Sequence, residues 1–335
     1  MNSPSSAKDF DSGQTVRWCP GCGDYAVLKA LRLALADIGA APCRTALVSG
    51  IGCAARLPYY VNAYGFHTVH GRAPAIATGL KMARPDLDVW VITGDGDGMS
   101  IGAGHLHHIL RRDPDLQILL FNNRIYGLTK GQASPTSPAG LRTASTPRGA
   151  TDDTSDPCRF AMGSGARFVA RELDVAQGEL RKLLAEAREF PGAAFVEILQ
   201  NCPIYHDGAH AGLRDRETGS QRTLRVRHGE PLLFGPDSTF GIALRPGTLR
   251  PEVRRVNPDD PEQTAVLLRH DETDPMIGAL LASLEGPEFP AALGVLHRRP
   301  NLTRKPPGRS RPAPQANRIE ELHALLRGNR TWRVD

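Results

Sequence analysis

The chain has 335 residues, 40% apolar and 23% charged, the balance of a folded protein with room for one large or two medium domains. No stretch approaches the ~18 uncharged apolar residues of a membrane-spanning helix, and the start MNSPSSAKDF has no basic segment leading into an apolar run, so no secretory leader is expected and the cytoplasm is the expected address. The formal net charge of +5 sits in the tail: from Arg298 to Asp335 ten Lys/Arg face three acids, the rest of the chain is slightly acidic, and no basic footprint for nucleic acid remains.

Residues 1–16 are polar and turn-rich and read as a flexible N-terminal arm. Apolar spacing then predicts helices over Asp24–Ile38, Ala73–Ala83, Leu106–Leu110 and Val175–Ala187, the last behind an Asp174 cap. Between them Arg44–Ser49, Val89–Thr93, Gln117–Phe121 and Ala194–Leu199 are short runs rich in Val, Ile, Leu and Phe and predict buried strands. Strands interleaved with helices predict a three-layer α/β domain on a mostly parallel sheet over 17–206. The long segment 131–165, with little periodicity, is expected to be functional. Residues 207–300 read as a C-terminal region, with a helix over Pro275–Leu284, packing on the core or on a partner. Residues 301–335 read as a basic Pro/Arg-rich tail: an extended linker to 316, then a short helix over Ile319–Leu326.

Two motifs carry chemistry. VWVITGDGDGMS (Val89–Ser100) ends a strand in Gly94-Asp95-Gly96-Asp97, and 28 residues after Asp95 a second strand ends in Asn122-Asn123. Strand carboxyl ends of parallel sheets bind ligands; glycines let a diphosphate approach the backbone, and carboxylate and amide oxygens suit Mg²⁺. This pairing resembles the thiamine-diphosphate motif, which implies that Asp95, the Asn123 side chain and the Ile125 carbonyl hold Mg²⁺ on the diphosphate. The second motif is a cysteine set: Cys19 and Cys22 in a C-x-x-C turn, Cys53 in a glycine loop after a strand, and Cys202 after another strand. Four thiolates from three loops suit a Cys₄ zinc site or a 4Fe–4S cluster, and spacing alone does not choose between them. Cys43 and Cys158 have no such company and read as ordinary free cysteines.

WCPGCGDYAVLKAL, SGIGCAARLPYYVNAYGFHTVHGRAPAIATGLKMA, GDGDGMSIGAGH, FNNRIYGLTKGQASPTS and EILQNCPIYHDGAH follow one another across residues 17–300. Together they resemble the β subunit of 2-oxoacid:ferredoxin oxidoreductases, most closely the 2-oxoglutarate type. The resemblance implies a thiamine-diphosphate-binding fold in which Cys19, Cys22, Cys53 and Cys202 ligate a 4Fe–4S cluster. It also implies that Ile51, Gly52, Cys53, Ala54, His70, Gly96, Asp97, Gly127 and Leu128 lie at the cofactor, with His70 catalytic. Lys130, in GLTKGQ, is expected near the substrate, meeting a distal carboxylate.

The implied activity is thiamine-dependent oxidative decarboxylation of 2-oxoglutarate with coenzyme A to succinyl-CoA and CO₂, with electrons leaving singly through the cluster to ferredoxin. Zinc has no redox chemistry and could not serve that purpose. One α/β unit is readable and nothing supplies a pyrimidine-binding domain, so the resemblance implies an obligate α subunit and an α₂β₂ assembly. Pyruvate or another 2-oxoacid is the alternative substrate; a non-redox thiamine decarboxylase subunit and a non-catalytic metal-stabilised scaffold are the alternative functions.

Overall fold

The computed structural model describes residues 6–215, 218–300 and 318–328. Eleven strands occur there: β1 Thr45–Ser49, β2 Tyr64–His67, β3 Asp88–Gly94, β4 Leu116–Asn122, β5 Phe168–Leu173, β6 Ala193–Leu199, β7 Thr223–Arg225, β8 Leu233–Phe234, β9 Phe240–Leu244, β10 Pro251–Arg255 and β11 Ala291–Arg298. Eight of them build one sheet in the order β2-β1-β3-β4-β6-β5-β11-β7, and β10-β9-β8 form a small antiparallel sheet. The first six strands of the large sheet are mutually parallel; β11 runs antiparallel to β5 and carries β7 parallel to itself.

Alternation along the strands sorts the core onto two faces. Val89, Val91, Ile118 and Leu120 face one way and pack with Ala73 and Ala77 of the helix Ala73–Ala83 and with Leu106, Ile109 and Leu110 of the helix Ala103–Arg112. Trp90, Ile92, Leu119 and Phe121 face the other way, against Val27, Leu31 and Leu35 of the helix Asp24–Asp37 and Leu180, Leu183 and Leu184 of the helix Gln177–Glu189. The expected three-layer architecture with a mostly parallel sheet is the observed one.

Four sequence readings change. Residues 6–16 are not a free arm: Phe10 is fully buried, Asp11 bridges Val61, and Asn62 N donates to the Phe10 carbonyl at 3.0 Å. Burying that ring stabilises the docked segment by about 2 kcal/mol. The helix Gln177–Glu189 starts after Ala176 with no side-chain cap; Asp174, at the end of β5, instead accepts from Asn201 N at 3.2 Å and faces Arg214. The region 207–300 does more than pack on the core, because β7 and β11 extend the main sheet and the described residues up to Pro300 form one compact unit. The expected helix over Pro275–Leu284 is Pro275–Ser283, capped by Asp274, which accepts from Met276 N. In the unit of residues 301–335 a helix runs Arg318–Arg327; the expected linker over 301–316 lies outside the described residues.

Candidate active site

The chain leaves β1 toward β2 on one side and then crosses to β3 on the other, so the strand order reverses between β1 and β3. A crevice opens at the carboxyl ends of the strands at such a point. The segments entering it are Gly50–Cys53 after β1, His70 after β2, Asp95–Asp97 at the start of the short helix Asp95–Met99 after β3, Asn123–Lys130 after β4 and Gln200–Cys202 after β6. Every residue expected to ligate a metal or contact the cofactor or substrate, except Cys19 and Cys22, which precede the first helix, arrives there behind a strand end.

Asp95 is buried. Its Oδ2 lies 2.5 Å from Ser134 Oγ and 2.6 Å from Thr136 Oγ1. Burial raises its carboxyl above the ordinary range and these hydroxyls only partly offset that, so a cation at this carboxylate would satisfy a charge the fold alone leaves exposed to a low-dielectric interior. Asn123 Oδ1 accepts from Ile125 N at 3.1 Å, an Asx turn that sets the carbonyl-bearing Ile125 beside the Asn side chain. A hard-oxygen set of carboxylate, amide and main-chain carbonyl therefore matches what Mg²⁺ takes.

Asp97 has a different role from its neighbour. Its Oδ1 accepts from Ile51 N at 3.1 Å and Gly71 N at 2.8 Å, and Thr93 Oγ1 donates to Oδ2 at 2.8 Å. One buried carboxylate thus ties the loops after β1 and β2 to the short helix after β3. Gly50 is required beside it, since a Cβ there would collide with that carboxylate. His70 Nδ1 also lies 2.8 Å from Asp97 Oδ1, off the hydrogen-bonding angle, while the side chain is 41% exposed. Gly96 is packed against the Tyr126 ring, whose hydroxyl donates to the Gly96 carbonyl at 3.2 Å. A cavity of about 380 Å³ adjoins the crevice, lined by Ile51, Gly52, Leu128, Arg17, Arg56 and Tyr59. Ala54 is buried behind Cys53.

The cysteines converge from three directions. Cys22 N donates to the Cys19 carbonyl at 3.1 Å across Pro20 and Gly21, and Gly21 has φ +79°; this is a type II turn with proline and glycine at its two central positions. A Cβ built on Gly127 would lie 3.6 Å from the sulfurs of both Cys53 and Cys202. Burial pushes the Cys22 thiol up, Asp24 adding to it, and burial and Asp24 push the Cys53 thiol up to about 12. Thiolates there call for a strongly electrophilic partner. Asp24 itself is fully buried and is pushed up to about 7, by burial first and by Asp174 second.

Three features escaped the sequence reading. Ser134 and Thr136, from the unpatterned segment 131–165, are the partners of Asp95; the clustering of hydroxyl residues in SPTS was the available signal. Gln200, fully buried, reaches Cys22. Cys158 belongs to a buried ionic network: its sulfhydryl donates to Glu197 Oε2 at 3.1 Å, beside Arg171, which binds Glu197 at 2.6 Å and Asp156 at 2.5 Å. Asp156, Cys158 and Glu197 lie close enough to hold an ion, but the Arg171 guanidinium already fills that role. Cys43 is exposed and stands apart.

Residues 48–198 match the family described as thiamine pyrophosphate enzyme, C-terminal TPP binding domain. The chain is 45% identical to the 2-oxoglutarate oxidoreductase subunit KorB of Mycobacterium tuberculosis, over 99% of this chain and 89% of that protein. The chain belongs to the β subunits of the 2-oxoacid:ferredoxin oxidoreductases, 2-oxoglutarate type. It is also 41% identical to the 2-oxoglutarate synthase subunit KorB of Methanocaldococcus jannaschii, over 56% of this chain and 70% of that one. The fold is similar to 2-oxoglutarate:ferredoxin oxidoreductase from Magnetococcus marinus, solved with 2-oxoglutarate, coenzyme A and succinyl-CoA bound, at TM-score 0.71 and 30% identity, covering 98% of this chain and 93% of that one. A thiamine-diphosphate domain and membership of this oxidoreductase family agree with the crevice at the β1/β3 reversal. Among the described residues no helix is long and apolar enough to cross a membrane.

Proposed function

We propose that this β subunit oxidatively decarboxylates 2-oxoglutarate with coenzyme A to succinyl-CoA and CO₂, passing two electrons singly through a 4Fe–4S cluster on Cys19, Cys22, Cys53 and Cys202 to ferredoxin. Bound thiamine diphosphate supplies the carbanion chemistry that decarboxylation needs. Asp95, Asn123 and the Ile125 carbonyl hold Mg²⁺ against its diphosphate, and Ile51, Gly52, Ala54, Gly96, Gly127 and Leu128 form its walls. Asp97 holds the two glycine loops in register. His70, with Nδ1 turned toward Asp97, offers Nε2 to hold or move a proton at the reacting centre. Lys130, exposed in the same loop as Leu128, meets the distal carboxylate of the substrate.

The observation that carries the redox reading is the meeting of the two motifs at Gly127. The loop after β4 bears Asn123 and Ile125 and, two residues on, packs against two of the four cysteine sulfurs. Zinc on these thiolates could not carry the electrons that the oxidation releases.

A partner subunit is supported by what surrounds the crevice. Tyr59, Phe66, Val69, Ile76 and Ile101 are all 43–69% exposed, an apolar rim of the kind that marks a protein interface. The described residues hold one α/β sheet with no second domain to cover it. The α subunit supplies that cover and the group that activates the aminopyrimidine.

The test is anaerobic co-purification of the chain with the product of its neighbouring gene, followed by iron and sulfide analysis and EPR after reduction. About four irons and four sulfides per β chain, with a reduced-cluster signal and 2-oxoglutarate-dependent ferredoxin reduction, are expected. Zinc or no metal in a sample that binds thiamine diphosphate overturns the redox reading in favour of a non-redox decarboxylase. Normal turnover by the isolated chain overturns the need for a partner.

A further inference from the structure

Gln200 follows β6 directly and is completely buried. Its side-chain Nε2 donates to Cys22 Sγ at 3.2 Å and to the Asn201 carbonyl at 2.7 Å, while its Oε1 has no partner. That arrangement fixes which way the amide faces. Turned over, the amide oxygen would meet the Asn201 carbonyl, and two acceptors would oppose each other. The side chain is also held in place sterically, because a Cβ at Gly23 would lie 2.8 Å from Gln200 Cγ. The glycine after Cys22 thus makes room for the amide. Gln200 N donates to the Asn122 carbonyl at 3.0 Å, so one residue touches both the end of β4 and the cysteine turn. Among the described residues it brings the one side-chain N–H that reaches any of the four sulfurs.

We infer that Gln200 sets the reduction potential of the iron–sulfur centre by donating this N–H to Cys22; the inference rests on the cluster reading above. A cluster gains one negative charge on reduction, and the sulfur ligands share it. A fixed N–H dipole at a ligand sulfur stabilises the reduced form more than the oxidised form and raises the potential. Gln200 is a positioning and tuning residue: it touches a ligand, not the substrate. The geometry spends a buried carbonyl to keep the donor aimed at sulfur, which packing alone would not require.

The test is an EPR-monitored potentiometric titration of the anaerobically purified complex carrying Gln200→Leu, with Gln200→Met as a second variant that fills the same volume without a donor. At a fixed solution potential the reduced-to-oxidised ratio of the cluster is expected to fall roughly tenfold, about 59 mV for a one-electron couple, with iron and sulfide content unchanged. A full complement of iron with an unshifted midpoint overturns the tuning role. Loss of the cluster in both variants overturns it as well, because Gln200 would then hold the site together rather than adjust it. Absence of iron from the unsubstituted complex would instead overturn the cluster reading itself.

Discussion

Thr136 Oγ1 stands 2.6 Å from Asp95 Oδ2, across 41 residues of chain. The same hydroxyl lies 2.9 Å from Asn122 Oδ1, and Asn122 Nδ2 donates to Glu197 Oε1 at 2.6 Å. Both Asp95 Oδ2 and Asn122 Oδ1 are acceptors, and a hydroxyl has one proton, so Thr136 donates to one of them at a time, the shorter contact being the one to Asp95. The carboxylate that would face the cation is therefore set by a threonine in a loop with no regular structure.

Replacing Thr136 with Val removes the hydroxyl donor and keeps the shape. Leaving buried polar groups unpaired costs about 1–3 kcal/mol, so the complex is expected to bind thiamine diphosphate with Mg²⁺ roughly ten- to a hundredfold more weakly. Cofactor titration by tryptophan fluorescence measures this; unchanged affinity would remove Thr136 from the site.

Lys130 occupies φ +77°, a left-handed conformation that a β-carbon disfavours. Gly131 N donates to the Tyr126 carbonyl at 2.9 Å and holds the turn closed. Lys130→Gly relieves the backbone and removes the charge. Its Michaelis constant for 2-oxoglutarate is expected to rise at least tenfold while the fold gains stability by a few tenths of a kcal/mol or more. Steady-state kinetics with 2-oxoglutarate and pyruvate side by side checks it: an unchanged constant for the dicarboxylate sinks the substrate-binding role.

The Arg171 guanidinium is enclosed by Glu197 and Asp156. Burial opposes ionisation of Glu197, yet Arg171 and the Asn122 amide hold its carboxyl below the usual range. Arg171→Met strands two buried carboxylates and is expected to destabilise the chain by about 3–5 kcal/mol. Adding Glu197→Gln should restore part of that loss, a coupling that a double-mutant cycle in urea unfolding reads directly.

His210 Nε2 donates to the Asn122 carbonyl at 3.0 Å, and burial lowers its pKa to about 4. The unfolded chain takes up that proton near pH 6.5 and the folded chain does not. The stability it contributes is therefore complete above pH ~6.5 and is lost as pH falls toward 4. At 1.36 kcal/mol per pKa unit the loss approaches about 3 kcal/mol. His210→Gln should flatten the difference in unfolding midpoint between pH 7 and pH 4.5; equal slopes in both proteins would contradict the assignment.

Strands β1, β3, β4 and β6 are legible because apolar residues dominate each and burial covers both faces, the runs being interrupted only by Gln117 in β4 and Glu197 in β6. β5 is not, because FVAREL carries Arg171 and Glu172 in its middle; both are buried through ion pairs with distant residues, and a local pattern cannot register a partner elsewhere in the chain. β2 is four residues long and wholly exposed, so it has no periodicity to read. The ligand candidates were legible as motifs at strand ends. Their supports, Thr136, Ser134 and Gln200, were not, since a lone hydroxyl or amide acquires its role only from what folding brings beside it.

The pairing of β5 with β11 joins Phe168 to Arg298. On a ribosome the amino-terminal strands emerge first, and β5 can align on β6 long before β11 has been made. Until about 300 residues are out, the outer edge of β5 offers unpaired backbone groups to any extended segment nearby. The antiparallel strand that arrives last seals this edge, so the vulnerable interval in the life of this subunit falls late in its translation.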